Sequence, residues 1–217
     1  MTEFLSNSLN KTKLNGLIQK TAINPLFWSW PGEIVITHGK GIWRLSDGPE
    51  EFISWQDQLH EEADNRMIMH IRDMIINSHC ESIIVRTVDS DVIIILVAFL
   101  SQFLALNEAL QVYVDFGMGE HRRVVDINKV FLSIGEEMSK SILFLHAFSG
   151  CDSTASFYGK SKSSWYRKLQ SYPGKEELLA VSEKISWNTD MIDAENSVKL
   201  IQQFVLFFLW TNSTISQ

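Results

Sequence analysis

Three short acidic strings in this chain combine residue types and positions that could do chemistry. They are Glu61-Glu62-Ala63-Asp64, Asp89-Ser90-Asp91, and the Asp152 of Ser149-Gly150-Cys151-Asp152. Carboxylates are hard oxygen ligands suited to Mg²⁺ or Mn²⁺. Two such ions about 4 Å apart would clamp the attacking and leaving oxygens of a phosphodiester. Glu62 and Asp64 stand two apart, and in mid-helix such residues point roughly 200° from each other. They can share a site only if Glu62 lies in the non-helical entry to its helix. Each string also has a structural reading. Acids favour a first helical turn, and Asp91 and Asp152 make good N-caps.

A basic stretch follows the third string. Between Ser153 and Lys175 there is no acidic residue, while Lys160, Lys162, Arg167, Lys168 and Lys175 are positive. Such a segment suits a phosphate backbone, the alternative being a solvated helix–turn face. Trp165 within it would either pack beneath the turn or stack on a base.

The elements that must position these groups read as follows. Leu14, Leu17 and Ile18 give Asn10–Ile18 a helical spacing, and Glu33–Thr37 and Ile42–Leu45 read as strands about a Gly39-Lys40-Gly41 turn. Asp47-Gly48-Pro49 breaks the chain. From His60 to Asn77, apolar residues recur at three- and four-residue intervals, which predicts an amphipathic helix. Ser82–Thr87 is the strongest strand signal, so Asp89 and Asp91 sit just beyond a strand's carboxyl end, where α/β sheets gather ligands. Val92–Leu110 has the length of a buried helix. Gln111–Phe116 and Arg122–Ile127 read as strands around Gly117-Met118-Gly119. Ser139–Phe148 reads as a helix, Thr154–Leu169 as two short helical pieces joined at Gly159, and Glu176–Lys184 as another helix. Strands alternating with helices predict an α/β fold with a mainly parallel central sheet flanked by helices.

Composition bounds the function. The 217 residues suffice for one α/β domain, and no linker or repeat divides them. A net charge of −7 excludes a uniformly basic nucleic-acid coat but leaves room for a local patch. Cys80 and Cys151 cannot form a disulfide framework, which favours an intracellular location, nuclear or cytoplasmic. The longest apolar runs, Val92–Leu100 and Phe204–Trp210, fall well short of the ~20 residues of a membrane span. His60-Glu61-Glu62-Ala63-Asp64 lacks the second histidine of a zinc protease. His70, His79 and Cys80 have no second cysteine pair to complete a zinc site, and Cys151 beside His146 lacks an orienting partner for a thiol nucleophile.

Taken in order, Glu62-Ala63-Asp64, Asp89-Ser90-Asp91 and Gly150-Cys151-Asp152 resemble the Glu-x-Glu, Asp-x-Asp and Gly-x-Asp motifs of the PIN-like nucleases, specifically their flap-endonuclease branch. The strings His60–Asp64, Val85–Asp91 and His146–Lys162 resemble animal proteins, often transposon-associated, with this PIN-like core. The resemblance covers about residues 8 to 182. It implies a Mg²⁺- or Mn²⁺-dependent nuclease in which Glu62, Asp64, Asp89, Asp91 and Asp152 hold the ions and carry phosphodiester hydrolysis. It also implies a helix–two-turn–helix over 153–182, in which Gly159, Lys160, Lys162, Arg167 and Lys168 grip nucleic acid, DNA ahead of RNA. Active members of the branch supply two further aspartates from upstream strands. This chain has only Asp47 as an aspartate before Glu50, so the expectation is a single domain, 1–217, lacking its N-terminal part. The rival reading is a non-catalytic descendant that binds nucleic acid or a protein partner through the same surface. A metal-dependent sugar-nucleotide transferase built on Asp89-Ser90-Asp91 is the third, which the flanking motifs disfavour.

Overall fold

The computed structural model describes residues 10, 13, 14, 16–18, 33–38, 41–45, 51–53, 63–152, 154–187 and 193–213. The expected turns at 39–41 and 47–49 fall wholly or partly outside these residues, as do Glu61 and Glu62. Backbone contacts divide the chain into two compact units, Met1–His70 and Ile71–Gln217.

The first unit holds an antiparallel meander of β1 (Ile34–His38), β2 (Gly41–Leu45) and β3 (Glu51–Ile53). Val35 stands opposite Arg44 and Ile42 opposite Ile53. Ile42 is buried, and Arg44 Nε lies 3.1 Å from Glu33 Oε2. The boundary between the units falls inside helix α1 (Ala63–Ser78). On its first-unit side, His70 Nε2 lies 2.6 Å from Thr37 Oγ1, a contact that engages one of the three side chains considered for zinc.

In the second unit three strands, β4 (Ser82–Thr87), β5 (Gln111–Phe116) and β6 (Arg123–Asp126), lie side by side in that order. β4 and β5 run parallel, linked through helix α2 (Ser90–Leu106), while β6 returns antiparallel to β5. Among the described strands only this one pairing is parallel, so the sheet is mixed where a mainly parallel one was expected. The cause is local. The β5–β6 connection is a short turn through Gly117 and the 3₁₀ turn Gly119–His121, and only antiparallel neighbours can be joined so briefly. Gly117 has φ +89°, and a Cβ there would meet the His121 carbonyl oxygen at 2.6 Å, which fixes glycine at that corner.

One sheet face is buried through Ile83, Val85, Val112 and Val114; on the other, Ile84 and Val124 are exposed. The buried face meets apolar helices. Leu96, Ala98 and Leu100 of α2 are inaccessible to solvent, and α2 packs on α3 (Ile127–Ile134) and α4 (Glu136–Ser149). Helix α2 stops at Leu106 rather than at the expected Leu110. Asn107 leaves helical geometry, its side chain donates to the Cys80 carbonyl, and Leu110 is already leading into β5. Helices α5 (Lys162–Gln170), α6 (Lys175–Ser186) and α7 (Ala194–Ser213) complete the unit. Their shared core is Met138, Leu145, Trp165, Leu178, Phe204 and Phe208 with their neighbours. Small residues let α4 and α6 approach closely, and the buried Ser141 hydroxyl donates to the Leu179 carbonyl at 2.9 Å. No helix among the described residues is long and apolar enough to cross a membrane.

The stretch expected as two helical pieces over Thr154–Leu169 is one helix preceded by an irregular connection. Gly150 ends α4 at φ +102°, and a Cβ on it would lie 2.4 Å from that of Ser156. Cys151 and Thr154 then form an isolated bridge, with Thr154 Oγ1 donating to the Ala147 carbonyl at 2.6 Å. The helix begins at Lys162 because Ser161 caps it, accepting the Ser164 N–H. The described residues between α4 and α5 therefore form an irregular connection rather than a compact turn between two helices.

Candidate functional site

The second acidic string is built by the end of β4. Thr87 Oγ1 accepts the Asp89 N–H at 3.0 Å, and Asp89 Oδ1 accepts the Asp91 N–H at 2.9 Å. Asp89 is thus the N-cap of α2, and Asp91 stands in its first turn. This leaves one oxygen of Asp89 clear of the cap and turns the Asp91 carboxylate toward α4.

There Asp91 meets a residue of the helix that leads into the third string. Its Oδ2 lies 3.2 Å from His146 Nε2, in the last turn of α4. The other ring nitrogen, Nδ1, lies 2.8 Å from Lys162 Nζ, at the first residue of α5. The ammonium also lies 3.5 Å from Nε2, so it sits against the ring beside Nδ1 while Nε2 faces Asp91. The histidine side chain is 14% exposed and the aspartate 33%. Three residues from the strand end, the helix end and the basic stretch are thus joined through one ring.

Beside this ring lies an open cavity of about 320 Å³ with an almost wholly apolar wall. It is lined by Ile94, Ile142, Leu145, His146, Lys162 and Tyr166, together with Ser149 and Ser163.

The remaining expected site residues are distributed differently. Asp64 stands in the first turn of α1, in the first unit, and Glu62 lies outside the described residues. Asp152 is exposed in the turn between Cys151 and Thr154, just past the helix end that carries His146. Among the described residues, no group of three or more His, Cys, Asp or Glu side chains is placed to hold a metal ion. The donors described here do not by themselves fit a divalent cation.

The basic residues also separate. Gly159 takes φ +67° at the turn before Lys160. Lys160 Nζ sits 5.2 Å from the centre of the Phe208 ring, a cation–π contact with α7. Arg167 and Lys168 occupy the last turn of α5. Arg167 is five positions on from Lys162, roughly 140° round the helix, and its Nε donates to the Ser163 carbonyl. Lys160 and Lys162 therefore share one end of the segment, with Arg167 and Lys168 at the other. Trp165 is inaccessible to solvent, stacked 3.7 Å from Phe208 and edge-on to Phe148, so it packs beneath the segment and offers no platform for a base.

Two features were not legible in advance. His146 draws attention in the sequence only through Cys151, whereas its ring nitrogens face Asp91 and Lys162. The second feature is a clamp at the far end of β5. Asp115 accepts two hydrogen bonds from Arg122, at 2.7 and 2.6 Å, and faces Arg86 at 3.4 Å. The Arg122 hydrogen bonds hold the Asp115 carboxyl below its ordinary range. Arg86 in turn donates to the carbonyls of Thr87, Asp115 and Gly117, tying the strand ends together. Burial pushes the Cys80 thiol up, which makes it a less reactive group.

Comparison with protein-family models, with curated proteins and with solved structures finds no match to this chain.

Proposed function

We propose that this chain is a PIN-like, nuclease-derived domain that binds the phosphodiester backbone of nucleic acid where the acidic string of β4 meets the basic stretch. The observation that carries the reading is the Asp91–His146–Lys162 connection, which brings Lys162 to the carboxyl end of a parallel strand. Lys162 uses one of its donors on His146 and keeps two for phosphate oxygens. Lys160 lies two residues away at the same end of the segment, within a stretch that has no acidic side chain. The test is DNA binding in the presence of a chelator, titrated with salt. Affinity should fall steeply as salt rises. Lys160→Ala with Lys162→Ala should weaken binding and lower the salt slope by up to about two phosphate contacts' worth. Absence of salt-dependent binding, or an unchanged slope in the double variant, would remove the reading.

The second reading is hydrolysis, in which Asp89 and Asp91 of the second unit would be among the ligands of Mg²⁺ or Mn²⁺. It is favoured by the placement of Asp89 and Asp91 beyond the end of β4, where ligands gather in α/β sheets. A bound ion would stabilise the fold by mass action. The melting temperature should then rise in millimolar Mn²⁺, and Asp89→Asn with Asp91→Asn should abolish the rise. A melting temperature indifferent to Mn²⁺ would leave backbone binding without chemistry.

A further inference from the structure

The sheet of the second unit ends in two edges of different character. β6, on one side, is four residues long and carries charges at both its ends, Arg123 and Asp126. Short, charged strands are how exposed edges avoid pairing with other chains. β4, on the other side, runs for six residues, and Ser82–Val85 holds no charge, proline or glycine. Its one charged residue, Arg86, donates to the carbonyls of Thr87, Asp115 and Gly117 and so leans over its own sheet. From this unprotected edge we infer that two copies of the chain pair antiparallel through β4, joining their sheets into one of six strands.

The bonds to β5 fix which backbone groups are free. The N–H groups of Gln111 and Gly117 donate to the carbonyls of Glu81 and Thr87. Bonding residues alternate along a parallel strand, so Glu81, Ile83, Val85 and Thr87 turn theirs toward β5. The N–H and C=O groups of Ser82, Ile84 and Arg86 point the other way, and no described residue pairs with them.

A strand with this pattern is complementary to itself. With a twofold axis at Ile84, that residue exchanges both its bonds with the partner's Ile84. Ser82 exchanges both with the partner's Arg86, and Arg86 with the partner's Ser82. Every free group is then satisfied. A two-residue slip in either direction leaves one end of each strand unpaired, so the register is selected. The same register keeps like charges apart, because each arginine lies opposite a serine. Ile84, 70% exposed in the single chain, gains a β-branched neighbour across the axis. Copies of net charge −7 repel at a distance, and Ser82–Thr87 offers them a contact without an acidic residue.

The experiment is sedimentation of the full chain up to about 200 μM, a range suited to a small, weak interface. The mass should rise with concentration from 24.9 kDa to twice that value and stop there, since a twofold contact closes. Ile84→Lys sets two ammonium groups together at the axis and should hold the chain at one copy. Val124→Lys alters a side chain of similar exposure, 68%, two strands from that edge, and should leave pairing intact. Hydrogen exchange on the unmodified chain reads the contact directly. The amides of Ser82, Ile84 and Arg86 should be protected in the dimer and exchange freely on dilution. A single copy at every concentration, growth beyond two copies, or a dimer that survives Ile84→Lys would each overturn the inference. So would edge amides that exchange freely in the dimer, or a dimer lost equally in Val124→Lys, which would move the contact to the sheet face. The exchange measurement needs no variant, so it decides the matter even where a substitution disturbs folding.

Discussion

Asp115 shows how one side chain can set both geometry and pH response. Its two oxygens are held by Arg122, and Arg86 closes the third side. The hydrogen bonds from Arg122 lower its pKa in the folded state, so the sign of the linkage is fixed. The stabilisation is fully present above the unfolded value, near 4. It is lost as pH falls through the lower folded value, where the native carboxylate also takes a proton. Asp115→Asn should therefore lower the melting temperature at neutral pH, and its difference from the unmodified chain should close progressively as the pH is brought below 4. Thermal scans of both proteins across that window check it. A difference that stays constant with pH would mean that the carboxylate's charge is not what matters. Nothing in the sequence pointed to this clamp, because its three members come from β4, β5 and the turn before β6. Asp89 and Asp91 were legible for the opposite reason. Both follow a strong strand signal and open a helix, so their placement is a local matter. Their partner His146 was not, since no local pattern says which strand end a helix end will face.

Elements whose signals were internal to one segment emerged close to expectation. β4 and β5 match residue for residue, because β-branched runs bounded by turns admit little else. The β5–β6 hairpin was also readable in its glycines, and it conflicted with the mainly parallel sheet inferred from strand–helix alternation. The turn chemistry prevailed. The basic segment was misjudged because its helix start depends on Ser161, a cap hidden among several serines. Helix α5 is held by tertiary packing more than by propensity, with Trp165 at the centre of a cluster that includes Phe148, Phe157, Phe204 and Phe208. Trp165→Ala should cost about 3–5 kcal/mol, the range for truncating a buried aromatic. Urea unfolding measures it. Because Phe204 and Phe208 lie on α7, the loss should also reduce hydrogen-exchange protection there. A cost under about 1 kcal/mol would show that α5 is anchored some other way. A smaller test concerns α3. Asp126 accepts the Lys129 N–H as its N-cap, and Asp126→Ala should cost about 1 kcal/mol.

For the molecule as a whole, total charge and local charge make opposite statements. A net −7 repels a polyanion at long range, yet Lys160 and Lys162 sit in a stretch without acids. If position decides, two charge-matched double variants should behave differently. Lys160→Gln with Lys162→Gln, and Lys129→Gln with Lys199→Gln, each take the net charge from −7 to −9. Lys129 is already paired with Asp126, the cap of its helix, and Lys199 with Glu195 one turn away on α7. Only the first pair should weaken nucleic-acid binding by a factor that shrinks at high salt. Fluorescence anisotropy at two salt concentrations separates them, and equal losses would assign binding to the overall field.

The imidazole of His146 has a consequence of a different kind. Its Nε2 faces Asp91 at 3.2 Å and its Nδ1 faces Lys162 at 2.8 Å. A cation arriving at Asp91 competes for the carboxylate that orients the ring, and an anion arriving at Lys162 competes for the ammonium that sits against the ring. Each arrival alters the partner left at the other end, so the two occupancies are thermodynamically linked. Linkage is reciprocal. Whatever factor a divalent ion imposes on nucleic-acid affinity, nucleic acid must impose on the ion, and replacing His146 would uncouple the two.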